Sequence, residues 1–161
     1  MFNLSWLAIL YSQSNIIGLC IALAHVAVHL RIMGEGQREW VLLAGVFAFG
    51  LLVDQILFGT GVLNFAGKPG LAPLWLSCLW LVLATTLLHA FSFLQGRYIL
   101  AMIFGAVGGT GSYIAGTKLT VVEFGSPLVA PATIALLWAM VFPMLLAIAR
   151  LTPSLAEDDP C

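Results

Sequence analysis

The chain has 161 residues, 61% of them hydrophobic and only 8% charged, with a formal net charge of −1. Soluble domains carry roughly 25% charged residues, so a water-facing surface is excluded, and the near-neutral balance gives no electrostatic footprint for nucleic acid. The bilayer is the solvent that fits; it demands helices or a closed barrel, and the continuous, non-alternating apolar runs exclude the barrel.

The first apolar stretch, residues 2–30, is interrupted by Ser12-Gln13-Ser14-Asn15. It is long for one spanning helix and short for two. A single tilted span, a short re-entrant piece followed by a span, and a tight pair of short helices all fit. Residues 1–11 carry no Lys or Arg, so the basic region of a cleaved signal is missing. Leu19 before Cys20 is wrong for lipoprotein processing, and the N-terminus is expected to be retained.

Four further stretches follow at 40–63, 71–94, 98–116 and 128–151. Each is read as a spanning helix, which needs roughly 20 residues. Pro73-Leu74-Trp75 and Trp80 read as a helix start and an interfacial aromatic belt. The connections Met33-Gly34-Glu35-Gly36, Ala66-Gly67-Lys68-Pro69-Gly70, Gln95-Gly96 and Gly125-Ser126-Pro127 carry turn chemistry. Such short loops make successive helices antiparallel neighbours. The expected fold is all-α: one polytopic transmembrane bundle of five to six helices with short loops, then a polar tail at 152–161. Arg31, Arg38, Arg97 and Arg150 fall on one side of it and Lys68 and Lys118 on the other. The arginine side, and with it the C-terminus, is expected to be cytoplasmic.

Asp54 is the one charged residue inside an otherwise uncharged apolar run; the others, Glu39 among them, stand between or beside the runs or in the tail. A carboxylate at bilayer depth costs a few kcal/mol or more, so it faces inward. Three readings fit it: a structural partner for a His, Thr or Tyr on another helix, a functional acid or ligand contact, and a hydrated position near an interface. At helical spacing, polar and small residues align on the other runs as well. Asn15, Gly18, Ala22, His25 and His29 share a face in the first. Gly50, Asp54, Leu57 and Gly61 do so in the second, and Cys78, Thr85, His89 and Ser92 in the third. In the fourth the stripe is Gly105, Gly109, Ser112 and Gly116, with Thr110 and Tyr113 beside it. The candidate site is therefore an intramembrane polar cluster of Asp54, His25, His29, Thr85, His89, Ser112 and Tyr113. Gly105, Gly109 and Gly116 read as a helix-packing seam.

The pair His25 and His29, at i and i+4, has the spacing of metal ligands. Three histidines and no Glu-x-x-His are too few for a di-iron lipid oxidase. A mononuclear site of His25, His29, His89 and Asp54 fits by ligand type, but nothing in the sequence brings the four together. Neither a metal nor a cofactor is expected. Cys20, Cys78 and Cys161 have neither disulfide-framework nor zinc spacing. No nucleophile elbow, Walker A or dinucleotide fingerprint is present.

Several segments together resemble the DUF2878 family of small bacterial polytopic membrane proteins. They are Leu71-Ala72-Pro73-Leu74-Trp75-Leu76, Leu79-Trp80, Ala84-Thr85-Thr86-Leu87, Gly105-Ala106-Val107-Gly108-Gly109, Ser112-Tyr113-Ile114-Ala115-Gly116, and the Gly50, Asp54, Leu57 face. Relatives carry Gly-Pro before the Ser-Tyr pair, where this chain has Thr110-Gly111. The resemblance implies a bacterial inner-membrane protein. Relatives encoded near enzymes of fatty-acid modification turn the expectation toward lipid-related work. The first expectation is a non-enzymatic component, with the bilayer, lipid-modifying enzymes or a lipid ligand as partners and no nucleic acid. The alternatives are a small transporter using Asp54 and a His as a proton or ligand site, and a membrane-embedded enzyme on an apolar substrate.

Overall fold

The computed structural model describes residues 1–34, 37–65 and 70–151, without the side chains of residues 37 and 38. The turn residues Glu35 and Gly36, the Arg38 side chain, the loop at 66–69 with Lys68, and the tail at 152–161 with Cys161 lie outside the described residues.

Six helices and one small sheet make up the described residues. They are α1 (Phe2–Ser12), α2 (Asn15–Met33), α3 (Gln37–Gly59), β1 (Leu63–Phe65), α4 (Leu74–Leu87), α5 (Tyr98–Leu119), β2 (Val122–Phe124) and α6 (Val129–Leu151). Four of the helices, α2, α3, α5 and α6, are long and apolar enough to cross a membrane. The protein is an all-α membrane bundle.

The first apolar stretch is a short helix followed by a helix long and apolar enough to span. Gln13 turns the chain with a left-handed φ of 43°. Ser12 Oγ donates to the Ile9 carbonyl, and Ser14 Oγ accepts from Ile17 N to cap α2. At 1.5 Å per residue α1 is about 16 Å long, roughly half the hydrocarbon thickness.

The stretch 71–94, expected to be one span, is shorter as a helix. Pro73 opens α4 and the helix stops at Leu87, followed by turns and a 3-10 turn at Ser92–Leu94. Thr85 and Thr86 donate their hydroxyls back to the carbonyls of Val82 and Leu83. Gln95 Nε2 donates to the carbonyl of buried Leu87, giving one of the helix-end acceptors a partner. His89 and Ser92 thus lie beyond the helix and share no helical face with Cys78 and Thr85.

The far ends of the helices converge. β1 pairs antiparallel with β2, Asn64 facing Glu123. Val121 N donates to Gln13 Oε1, and Trp75 N donates to Asn15 Oδ1. Gln55 clamps the entry to α4, its amide nitrogen donating to the Ala72 carbonyl and its oxygen accepting from Ala72 N. At the opposite end a Cβ on Gly96 would stand 3.0 Å from Arg150 Nη1.

Helix α4 is the hub. It packs on α1, α2, α3 and α6, while α5 packs chiefly on α6. Its buried residues (Trp75, Ser77, Cys78, Trp80, Val82, Ala84, Thr85, Leu87) run round its circumference, as expected of a helix enclosed by others. Trp75 and Trp80 are buried at 1% and 3% exposure. They are core residues and not the interfacial belt that their sequence context indicates.

Candidate functional site

Asp54 is fully buried on α3 and accepts three hydrogen bonds. Ser77 Oγ donates to Oδ2 at 2.7 Å and Trp80 Nε1 to the same oxygen at 3.2 Å. Tyr113 OH donates to Oδ1 at 3.3 Å. The carboxylate therefore joins α3 to α4 and α5. The approach depends on Gly50, one helical turn before Asp54: a Cβ there would collide with the Trp80 indole. Trp80 in turn stacks on Trp138 of α6, ring centroids 5.1 Å apart and planes 11° apart. Gly105 and Gly109 of α5 admit Trp138, since a Cβ on either would meet its backbone or its ring. Gly116 is looser, with the nearest neighbour, Leu10 Cδ2, at 4.0 Å.

The histidines of the expected cluster stand elsewhere. Glu39 and Asp54 are separated by about 22 Å of helix axis at 1.5 Å per residue. His25 lies on α2 between Ser5 Oγ, 2.9 Å from its Nδ1, and Thr85 Oγ1, 3.1 Å from its Nε2. The Thr85 hydroxyl hydrogen goes to the Val82 carbonyl. His25 Nε2–H therefore donates to Thr85, and Nδ1 accepts from Ser5 in the neutral ring. Both ring nitrogens are satisfied.

One helical turn further on, His29 meets Glu39, Nε2 to Oε1 at 2.5 Å. His89, in the turn after α4, brings its Nε2 within 3.5 Å of the same oxygen. The two imidazoles lie 5.1 Å apart, tilted by 60°. Glu39 is 1% exposed, His29 9% and His89 18%. Asp54 and its donors Ser77, Trp80 and Tyr113 thus form one group, His25 and Thr85 a second, and His29 and His89 a third around Glu39. Sequence reasoning left out Ser77, Trp80 and Glu39. Ser77 and Trp80 stand at i and i+3, a signal that they share a face. Glu39 opens the second apolar run, but its charge reads as interfacial.

Ser112 and Tyr113 border a cleft of about 390 Å³ between α1, α4, α5 and α6. Trp6, Trp75, Leu79, Trp80, Phe104 and Trp138 supply much of its wall. The indole N–H groups of Trp75 and Trp138 are buried and have no acceptor among the described residues.

A family model described as "Protein of unknown function (DUF2878)" matches residues 1–144, most of the chain, and the chain belongs to that family. No curated protein and no solved structure matches it.

Proposed function

We propose that this member of the DUF2878 family is a non-enzymatic membrane component that holds a lipid-class molecule between its helices, in support of membrane lipid or fatty-acid modification. The cleft between α1, α4, α5 and α6 carries the reading. Its volume of about 390 Å³ falls within the roughly 300–1,000 Å³ of small-molecule sites. Its lining is largely aromatic and aliphatic, with the Asn3 amide and the hydroxyls of Ser112, Thr117 and Thr120 as sparse polar points. A ligand with a long apolar body and a small polar group matches that distribution. Because α1 covers only about half of the hydrocarbon depth, the boundary between α1 and α5 offers lipid a lateral route.

Asp54 supports a binding role over transport. It is completely enclosed and takes donors on both oxygens, the environment of a carboxylate that fixes helices together. We place the protein in the bacterial inner membrane. The end bearing Arg31, Arg97 and Arg150 faces the cytoplasm and the Lys118 end faces out, following the excess of basic residues on cytoplasmic loops.

The test is native mass spectrometry of the detergent-purified protein. A phospholipid or fatty-acid adduct of one per chain is expected, strongly depleted in Ser112→Trp, which puts an indole into the cleft, at an unchanged melting temperature. Absence of bound lipid from the wild type, or equal retention by the variant, refutes the reading. Fatty-acid profiles of a deletion strain, complemented by wild type or by Ser112→Trp, test the link to lipid modification.

A further inference from the structure

Three ligand-type atoms converge at the arginine-bearing end of the bundle from three separate segments. They are His29 Nε2 near the end of α2, Glu39 Oε1 in the first turn of α3, and His89 Nε2 in the turn after α4. One ligand atom from each of the three residues lies within 4.8 Å of the other two. We propose that His29, Glu39 and His89 form a binding site for a single divalent transition-metal ion of the zinc or iron(II) type.

The geometry goes beyond that of an ion pair. His29 and His89 bring their Nε2 atoms to the same carboxylate oxygen, at 2.5 and 3.5 Å. Only the first is a hydrogen bond, and His89 Nε2 is buried without a hydrogen-bond partner. A buried unpaired ring nitrogen is costly, and a lone pair directed at a cation removes that cost. With metal–nitrogen and metal–oxygen bonds of about 2.0–2.2 Å, neighbouring ligand atoms of a tetrahedral site stand about 3.4 Å apart. His89 already has that spacing from Glu39. His29 reaches it by withdrawing about 1 Å, a shift within the reach of side-chain torsions near a helix end.

The donor set chooses the class of ion. Two imidazoles and one carboxylate suit zinc or iron(II), whereas calcium and magnesium require mostly oxygen ligands. Three protein ligands leave at least one coordination position, as in sites where the metal also holds water or another small ligand. His25, although one turn from His29, is not a ligand, because Ser5 and Thr85 occupy both of its nitrogens. The early stop of α4 is part of the construction: a helix continued past Leu87 would carry residue 89 onward along the helix and not into the turn that meets Glu39.

The experiment uses the full-length protein, purified in detergent, stripped with a chelator and titrated with zinc alone, then with cobalt(II) as a spectroscopic stand-in. One zinc per chain is expected, with visible cobalt d–d bands of a nitrogen- and oxygen-ligated site. His89→Gln and Glu39→Gln should each lower zinc affinity by at least about tenfold, since even outer-shell changes cost that much. His25→Gln should retain wild-type affinity. All variants are compared as species that elute with the wild type in size exclusion. His89→Gln, in a turn and partly exposed, is the variant least demanding of the fold. Failure of the wild type to bind zinc stoichiometrically overturns the proposal, as does wild-type affinity in His89→Gln. The lipid reading of the cleft stands or falls separately, by lipid retention.

Discussion

Trp80 donates its indole N–H to Asp54 while its ring stacks on Trp138, so one side chain joins a buried carboxylate on α3 to an aromatic wall on α6. Tyr113 adds a second link, with its hydroxyl on Asp54 and its ring 6.5 Å from that of Trp138. The polar and aromatic contacts are parts of one arrangement that ties the α5–α6 pair to the rest of the bundle. The cleft lies along this junction, and Trp80, Tyr113 and Trp138 line it.

If Asp54 is an anchor, its loss leaves Ser77, Trp80 and Tyr113 without their acceptor. Each buried orphaned donor costs about 1–3 kcal/mol. Asp54→Ala should therefore destabilise the bundle by about 3 kcal/mol or more. Asp54→Asn keeps one carbonyl oxygen for Ser77 and Trp80 and turns an amide toward Tyr113, whose hydroxyl can accept; its cost should be about 1–2 kcal/mol. Equilibrium unfolding in mixed micelles measures both. Equal losses in the two variants would contradict the anchoring role.

The glycines of α5 make a sharper contrast. A Cβ on Gly105 would fall on the Trp138 carbonyl and within 2.6 Å of Phe142 Cβ, whereas one on Gly108 meets nothing within 4 Å. Gly105→Ala should cost about 1–3 kcal/mol by overpacking. Gly108→Ala should be neutral or stabilising by up to about 1 kcal/mol, from the helix preference of alanine. Thermal melts of the pair in one detergent decide it, and a Gly105→Ala protein as stable as wild type would show that α5 and α6 are not held this closely.

Hydropathy made the bundle legible, because apolar runs near the length of a bilayer have few other structures open to them. It left the finer organisation unread. The run 71–94 is apolar throughout, so the end of α4 at Leu87 is invisible in it; the stop rests on side chains such as Gln95 that reach back from the next turn. The break at Ser12-Gln13-Ser14 could be seen, but its outcome depended on Gln13 taking a left-handed turn and pairing with Val121. Asp54 stood out because it interrupts an apolar run. Glu39 did not, because a charge at the edge of a run ordinarily reaches water, and its burial rests on tertiary contacts, those with His29 and His89 among them. Trp75 and Trp80 carried the opposite ambiguity: the same amphipathic ring serves an interfacial belt or a buried donor, and only a tertiary partner such as Asp54 separates the two.

The cleft indoles report on its occupancy. Trp6, Trp75, Trp80 and Trp138 line it, whereas Trp40 is 59% exposed on the bundle surface. In a Trp40→Phe background, a brominated fatty acid added to protein in an unbrominated detergent should quench tryptophan emission saturably, near one equivalent per chain. Ser112→Trp, which fills the space, should abolish the saturable phase. A linear, unsaturable response in the parent would mean partition into the micelle and no site.

His25 and Thr85 permit a direct measurement of one interhelical bond. Thr85→Val keeps the shape but removes the acceptor, leaving His25 Nε2 unpaired between α2 and α4. His25→Leu removes the donor and releases Ser5 as well. The double variant leaves no orphaned ring nitrogen, so its cost should be less than the sum of the two single losses. Hydrogen bonds between membrane helices average about 0.6 kcal/mol in such cycles, with a ceiling near 1.7, and the coupling here should fall in that range. A value indistinguishable from zero by unfolding in mixed micelles would mean that packing around Ala22 and Val26 holds α2 on its own, and that the histidine contributes nothing to the contact with α4.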